Sequence, residues 1–173
     1  DVMAEDQGSS QARAWSRKKA TRNSVVVADV VSRFVITAGG VGTIVCQWAR
    51  HLGAEVIGTV GSPEKAAIAR ENGCHHPIDY TEEDFAQRVK EITAGTGVDV
   101  VYDSVGAATF AKSLDCLRPM GTLVSFGQSS GAIPPVDLSI LAQKGSLFLT
   151  RPSLMTYTEK REDLLAHAND LFD

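Results

Sequence analysis

The sequence predicts an α/β fold, a doubly wound parallel sheet of six strands, on three observations. From residue 24 onward, short β-branched or apolar runs alternate with helical stretches. A glycine cluster, AGGVG at 38–42, lies at the first strand-to-helix junction. The run VDVVYD at 98–103 follows glycines and reads as a strand buried on both faces, as a central parallel strand must be. Alternating strand and helix requires right-handed crossovers between parallel strands, which places helices on both faces of one sheet.

Strands are expected at 34–37, 55–59, 77–79, 98–103, 122–126 and 146–149. Helices are expected at 41–52, 63–72, 82–93, 107–117, 135–142 and 157–172. In GSPEKAAIARENG, Ser62 can cap a helix and Pro63 can occupy its first position, where a missing N–H costs nothing. Gly73 then ends that helix in a left-handed conformation.

The 173 residues, 43% hydrophobic and 22% charged, suffice for one globular core without disulfides. No apolar run reaches the ~18–20 residues that span a bilayer, and no secretory pattern opens the chain. A cytoplasmic protein without a membrane partner is therefore expected. Cys46, Cys74 and Cys116 are odd in number and widely spaced, as reduced thiols would be. Net charge is −4, unevenly spread: residues 1–33 carry six Lys/Arg against four Asp/Glu, the remainder eleven against seventeen. An acidic main domain argues against nucleic acid as a partner. Residues 1–33 read as a separate polar segment, an exposed arm or helix carrying Arg17, Lys18 and Lys19; residues 34–173 read as the folded domain.

Against the pattern G-x-G-x-x-G, TAGGVG places Thr37, Gly39 and Gly42 at the three glycine positions. The second glycine lets backbone approach a pyrophosphate, and the third lets the helix pack closely on its strand; this is the fingerprint of the Rossmann sheet. The N–H groups that open the following helix would face the phosphates, with the helix dipole favouring negative charge. An NAD site usually holds the ribose 2′-hydroxyl with an acid about 20 residues beyond the first glycine position. Here that region reads IGTVGSPEK (57–65), with no acid before Glu64 and with Lys65 after it. Small residues leave room for a 2′-phosphate that Lys65 can neutralise, so NADPH is expected over NADH. The missing acid also counts against an S-adenosylmethionine site.

Other clusters carry less. Cys74, His75 and His76 are contiguous, and adjacent residues rarely point at one metal; no metal site is expected. Cys46 reads as a packed small hydrophobe. Tyr157 and Lys160 are one residue too close for a Tyr-x-x-x-Lys pair.

The segments AGGVGTIVCQWARHLGAEVIGTVGSPEKAAIA, VDVVYDSVGAATFAKSLDCLRPMGTLVSFGQSSG and LAQKGSLFLTRPS closely resemble the NADPH-dependent quinone oxidoreductases. These are the zinc-free, zeta-crystallin-like branch of the medium-chain dehydrogenase/reductase superfamily. The resemblance runs from about Val35 to Asp173. It implies that Gly39, Gly40, Val41 and Gly42 hold the pyrophosphate, and that Gly61, Ser62, Lys65 and Tyr80 surround the adenosine 2′-phosphate. It implies that Ser104, Phe126, Gly127 and Ser129 lie near the adenine or nicotinamide half. It further implies hydride transfer from NADPH to a quinone or enone, and a homodimer joined through the edge strand from Ser146 to Thr150. No catalytic acid or base is evident.

The chain departs from that family in three ways. Residues 1–33 stand where a barrel-like catalytic domain would precede, and the return to that domain after the last helix is absent, so this stretch alone is expected to be inactive. Thr37 replaces the alanine usual at the first motif position. An enoyl reductase module of a larger synthase, or a non-catalytic nucleotide-binding fragment, remain alternatives.

Overall fold

The computed structural model of the chain describes residues 33–37 and 40–172, with backbone alone for 34–37. The proposed N-terminal segment, apart from Arg33, and Gly39 of the glycine turn lie outside the described residues.

The elements alternate as the sequence pattern requires. They run β1 (Arg33–Thr37), α1 (Gly40–His51), β2 (Glu55–Val60), α2 (Pro63–Glu71), β3 (His76–Asp79), α3 (Phe85–Ile92), β4 (Val98–Asp103), α4 (Phe110–Asp115) and β5 (Leu117–Ser125). After these come α5 (Ser139–Gln143), β6 (Phe148–Thr150), α6 (Leu154–Tyr157) and α7 (Arg161–Phe172). The strands pair in the order β3-β2-β1-β4-β5-β6, and each pairing is parallel. The chain builds leftward from β1 to β3, then crosses back to place β4 on the other side of β1. That reversal leaves a crevice at the C-terminal ends of β1 and β4, where α/β sheets of this kind bind ligands.

The two faces of the sheet are packed differently. Ile57 and Ile78, with Val101 and Leu123, meet Phe85 and Val89 of α3 and Phe110 and Leu114 of α4 in one buried cluster. Alternation along β2 turns Val56 and Val60 to the opposite face. On that side α1 and α2 bury only small residues, Cys46, Ala49, Ala66 and Ala69. Small side chains let these helices lie close to the strands, which brings the opening turn of α1 down to the end of β1.

Local chemistry explains most differences from the expected boundaries. Ser62 caps α2 as its sequence suggests, and Gly73 stands at φ +97° just past the end. The third helix begins at Phe85, three residues later than expected, because the Asp84 carboxylate accepts from Ala86 N at 3.0 Å and Gln87 N at 3.2 Å. Asp137 Oδ1 similarly takes Ser139 N at 2.9 Å, so α5 starts at Ser139 rather than at 135. The helix expected over 157–172 opens only at Arg161, as α7; Tyr157 instead ends the separate short α6, which Thr158 Oγ1 closes by donating to Leu154 O at 2.9 Å.

Two differences come from long-range pairing instead. The expected helix over 107–117 shrinks to Phe110–Asp115, and β5 begins at Leu117, not 122. Leu117 pairs with Val98, and the register then shifts so that Val100 faces Thr122, with Met120 at φ +62° inside the irregularity. At the far edge the strand is Phe148–Thr150; Ser146, expected within it, stands at φ +59° in the preceding turn.

Candidate functional site

Because the strands are parallel, their C-terminal ends share one edge, and the residues singled out in the sequence gather along it in three groups.

The first group opens α1. Gly40 is the first helical residue, and a Cβ built there would meet nothing within 4 Å. Val41 beside it is 59% exposed, while Gly42 turns inward and is buried. The first turn holds no acidic residue, so no side-chain carboxylate of its own answers the positive end of the helix. Open space beside the opening turn of a helix suits a phosphate. Thr37 pairs with Thr59 at the end of β1.

The second group lies beyond β2 and β3. Tyr80 N donates to Val60 O at 3.0 Å and carries the β2–β3 pairing one residue past the strands. The phenol then folds over Gly61: a Cβ at Gly61 would stand 2.7 Å from Tyr80 Oη and 3.2 Å from its Cζ. A side chain at residue 61 would have to push that half-exposed ring aside. Ser62 Oγ accepts from Lys65 N at 3.3 Å, which fixes the first turn of α2, where Lys65 is exposed. Glu64 and Asp79 are acids of this group; the Ser62 hydroxyl beside Glu64 lowers its pKa from the usual carboxylate value.

The third group joins the turns after β4 and β5. Phe126 N donates to Asp103 O at 2.9 Å, Gly127 N to the same oxygen at 3.4 Å, and Ser129 N to Ser104 O at 3.2 Å. The turns touch so closely that a Cβ at Gly127 would lie 2.5 Å from Ser104 O. Ser104, far in sequence from Phe126, Gly127 and Ser129, therefore forms one wall with them. Gly39 lies outside the described residues.

Sequence reasoning missed two residues that build this wall. Asp103 is buried, with Oδ1 accepting from Val105 N at 2.8 Å, Gly106 N at 3.0 Å and Thr109 Oγ1 at 2.9 Å. Its Oδ2 accepts from Thr109 Oγ1 and from Ser113 Oγ, each at 2.8 Å. The available signal was an acid ending an apolar strand just before S-V-G. The other is Arg151, immediately after β6, whose guanidinium reaches the β5 turn.

The contiguous Cys74, His75 and His76 serve separate ends. Cys74 is buried beside Cys46, and the Cys46–Cys74 thiol hydrogen bond raises the pKa of Cys46 and lowers that of Cys74. His75 Nδ1 accepts from Val56 N at 3.0 Å, and His76 Nε2 lies 2.9 Å from Glu55 Oε1. Among the described residues no group of three or more His, Cys, Asp or Glu is placed to hold a metal ion.

This arrangement has known counterparts. The family model described as zinc-binding dehydrogenase matches residues 40–168, most of the described chain. The chain belongs to that family. Within it, relatives at about 50% identity include quinone oxidoreductases of the medium-chain dehydrogenase/reductase superfamily. Quinone oxidoreductase 1 of Escherichia coli is 56% identical over 139 residues, covering 80% of this chain and 42% of that protein. The 2-haloacrylate reductase of a Burkholderia species is 53% identical over 137 residues, covering 79% of this chain and 41% of that one. The crystal structure of Escherichia coli quinone oxidoreductase complexed with NADPH superposes with a TM-score of 0.80 at 49% identity, over 94% of this chain and 48% of that one. These likenesses establish an α/β, Rossmann-like fold. The chain spans less than half the length of these relatives.

Proposed function

We propose that this chain is the NADPH-binding part of an NADPH-dependent quinone oxidoreductase, formed by residues 33–173 as one doubly wound, six-stranded sheet, with residues 1–32 a separate segment. The observation that carries the cofactor reading is the end of β2. Where an NAD-binding acid would stand, Gly61 lies directly under the Tyr80 phenol, with the exposed Lys65 one helical turn away. A carboxylate side chain at residue 61 would have to displace that ring. The E. coli relative solved with NADPH supports the same reading.

In this reading Gly39, Gly40, Val41 and Gly42 hold the pyrophosphate at the N-terminus of α1. Gly61, Ser62, Lys65 and Tyr80 surround the 2′-phosphate, Lys65 supplying the opposite charge. Ser104, Phe126, Gly127 and Ser129 line the crevice beyond β4 and β5. Bound NADPH supplies the hydride, and the acceptor is a quinone or an enone. The haloacrylate-reducing relative favours an acceptor whose carbon–carbon double bond is activated by a neighbouring carbonyl. The residues of this chain act by orientation and charge, and no proton-transfer step is assigned to them.

The test is cofactor preference. Fluorescence titration is expected to show NADPH binding more tightly than NADH. Lys65→Ala should cost about 1–2 kcal/mol of NADPH affinity, the scale of a lost charge-assisted hydrogen bond, and leave NADH unaffected. Equal affinities for the two cofactors in the wild-type chain would sink the reading.

The proposal extends to assembly. Phe148 is 58% exposed and Leu149 37% exposed on β6, which is the last strand of the pairing order. A sheet edge of this kind is a template for another strand, and a second copy of the chain satisfies it as a homodimer. Sedimentation analysis is expected to show a dimer that Phe148→Lys converts to monomer; a wild-type monomer at micromolar concentration would contradict it. A cytoplasmic location fits this activity, and no helix among the described residues is long and apolar enough to cross a membrane.

A further inference from the structure

Arg151 stands where β6 ends, and its guanidinium reaches sideways to the turn after β5. Nη1 donates to Ser125 O at 3.3 Å, Ser125 Oγ at 3.2 Å and Gly127 O at 3.4 Å, and Nη2 donates to Gln128 Oε1 at 3.4 Å. Strand register explains the reach. Val124 pairs with Thr150, so the next residue on each strand, Ser125 and Arg151, stand side by side. Pro152 follows, with no N–H to extend the ladder, and the chain turns away.

Among the described residues, the hydrogen-bond partners of Arg151 are oxygens of one four-residue segment, and no carboxylate pairs with it. Each of these bonds is long, so none fixes the turn alone. Together they cover one side of it, while Asp103 O and Ser104 O hold the other. The turn after β5 is thus gripped from both neighbouring strands.

We propose that Arg151 is a positioning residue for the nicotinamide half of the cofactor site. It holds residues 125–128 so that Phe126, Gly127 and Ser129 keep their places at the crevice. This inference rests on the NADPH reading above. The assignment to one half follows from topology: a dinucleotide lies across two mononucleotide-binding halves, and Arg151 braces the half built on β4, β5 and β6. Lysine could not replace it fully, because an ammonium lacks the planar fork that reaches Ser125, Gly127 and Gln128 together.

Titration of the full chain with two ligands tests this. One is NADPH; the other is 2′,5′-ADP, which carries the adenosine half alone. Arg151→Gln is expected to weaken NADPH binding about five- to tenfold, the scale of one or two lost hydrogen bonds. Binding of 2′,5′-ADP should stay within about twofold of wild type, which also shows that the variant is folded. Arg151→Lys should fall between wild type and Arg151→Gln. An equal loss for both ligands would mark Arg151 as a general structural residue and overturn the proposal, as would unchanged NADPH binding. A wild-type chain that binds neither ligand refutes the cofactor reading itself, and this inference with it.

Discussion

Asp103→Ala is expected to destabilise the chain by about 3–5 kcal/mol, the scale of breaking a buried hydrogen-bond network with several donors. The carboxylate is 3% exposed and collects two backbone N–H groups and two hydroxyls from residues 105–113. Alanine leaves those donors buried without an acceptor, and each such group costs on the order of 1–3 kcal/mol. Against a total stability of roughly 5–15 kcal/mol this is a large share. Thermal unfolding should show a midpoint lower by on the order of 10–20 °C. Asp103→Asn should fall between, because the amide keeps one acceptor oxygen but turns an N–H toward the remaining donors. A midpoint within a degree or two of wild type for Asp103→Ala would show that water replaces the carboxylate without penalty. Because Asp103 O also holds the Phe126 and Gly127 amides, any backbone shift at this residue reaches the crevice wall directly.

Gly127→Ala is expected to cost about 2–3 kcal/mol and to weaken NADPH binding as well, at the upper end for overpacking because backbone is the obstacle. The added methyl would stand 2.5 Å from Ser104 O and 2.9 Å from Ser104 Cα. Neither atom can rotate aside, so the turns after β4 and β5 must part. Gly40→Ala is the matching control. Its methyl meets nothing within 4 Å, so stability should hold, and helix propensity even favours alanine there. If Gly127→Ala were as stable as Gly40→Ala, the wall would be looser than its geometry states. Chemical denaturation of both variants decides this.

The alternation of elements was legible because each strand and helix carries its own period and punctuation. Ser62, Pro63 and Gly73 set the limits of α2 by local chemistry, and the structure follows them closely. Where a boundary depended on a partner far along the chain, sequence reading fell short. Leu117 joins β5 because Val98 lies opposite, and nothing near Leu117 announces that pairing. The same holds within the candidate site. Gly40, Gly42 and Lys65 stand out because a turn, a helix start and a missing acid are local features. Asp103 and Arg151 are ordinary residues until Thr109, Ser113 and Ser125 are brought beside them. Tyr80 was singled out by family likeness, but its place over residue 61 is a contact across β2 and β3.

The sequence by itself determined the order and kind of the elements, the glycine turn at the first junction, and the acid-free end of the second strand. Each of these follows from side-chain period, backbone freedom or charge within a few residues. Tertiary structure alone decided which chain ends meet at the crevice, where the fifth strand begins, and how Asp103 and Arg151 grip the turns of β4 and β5. Those outcomes depend on parallel pairing between strands distant in sequence, and only a closed hydrogen-bond register brings their residues together.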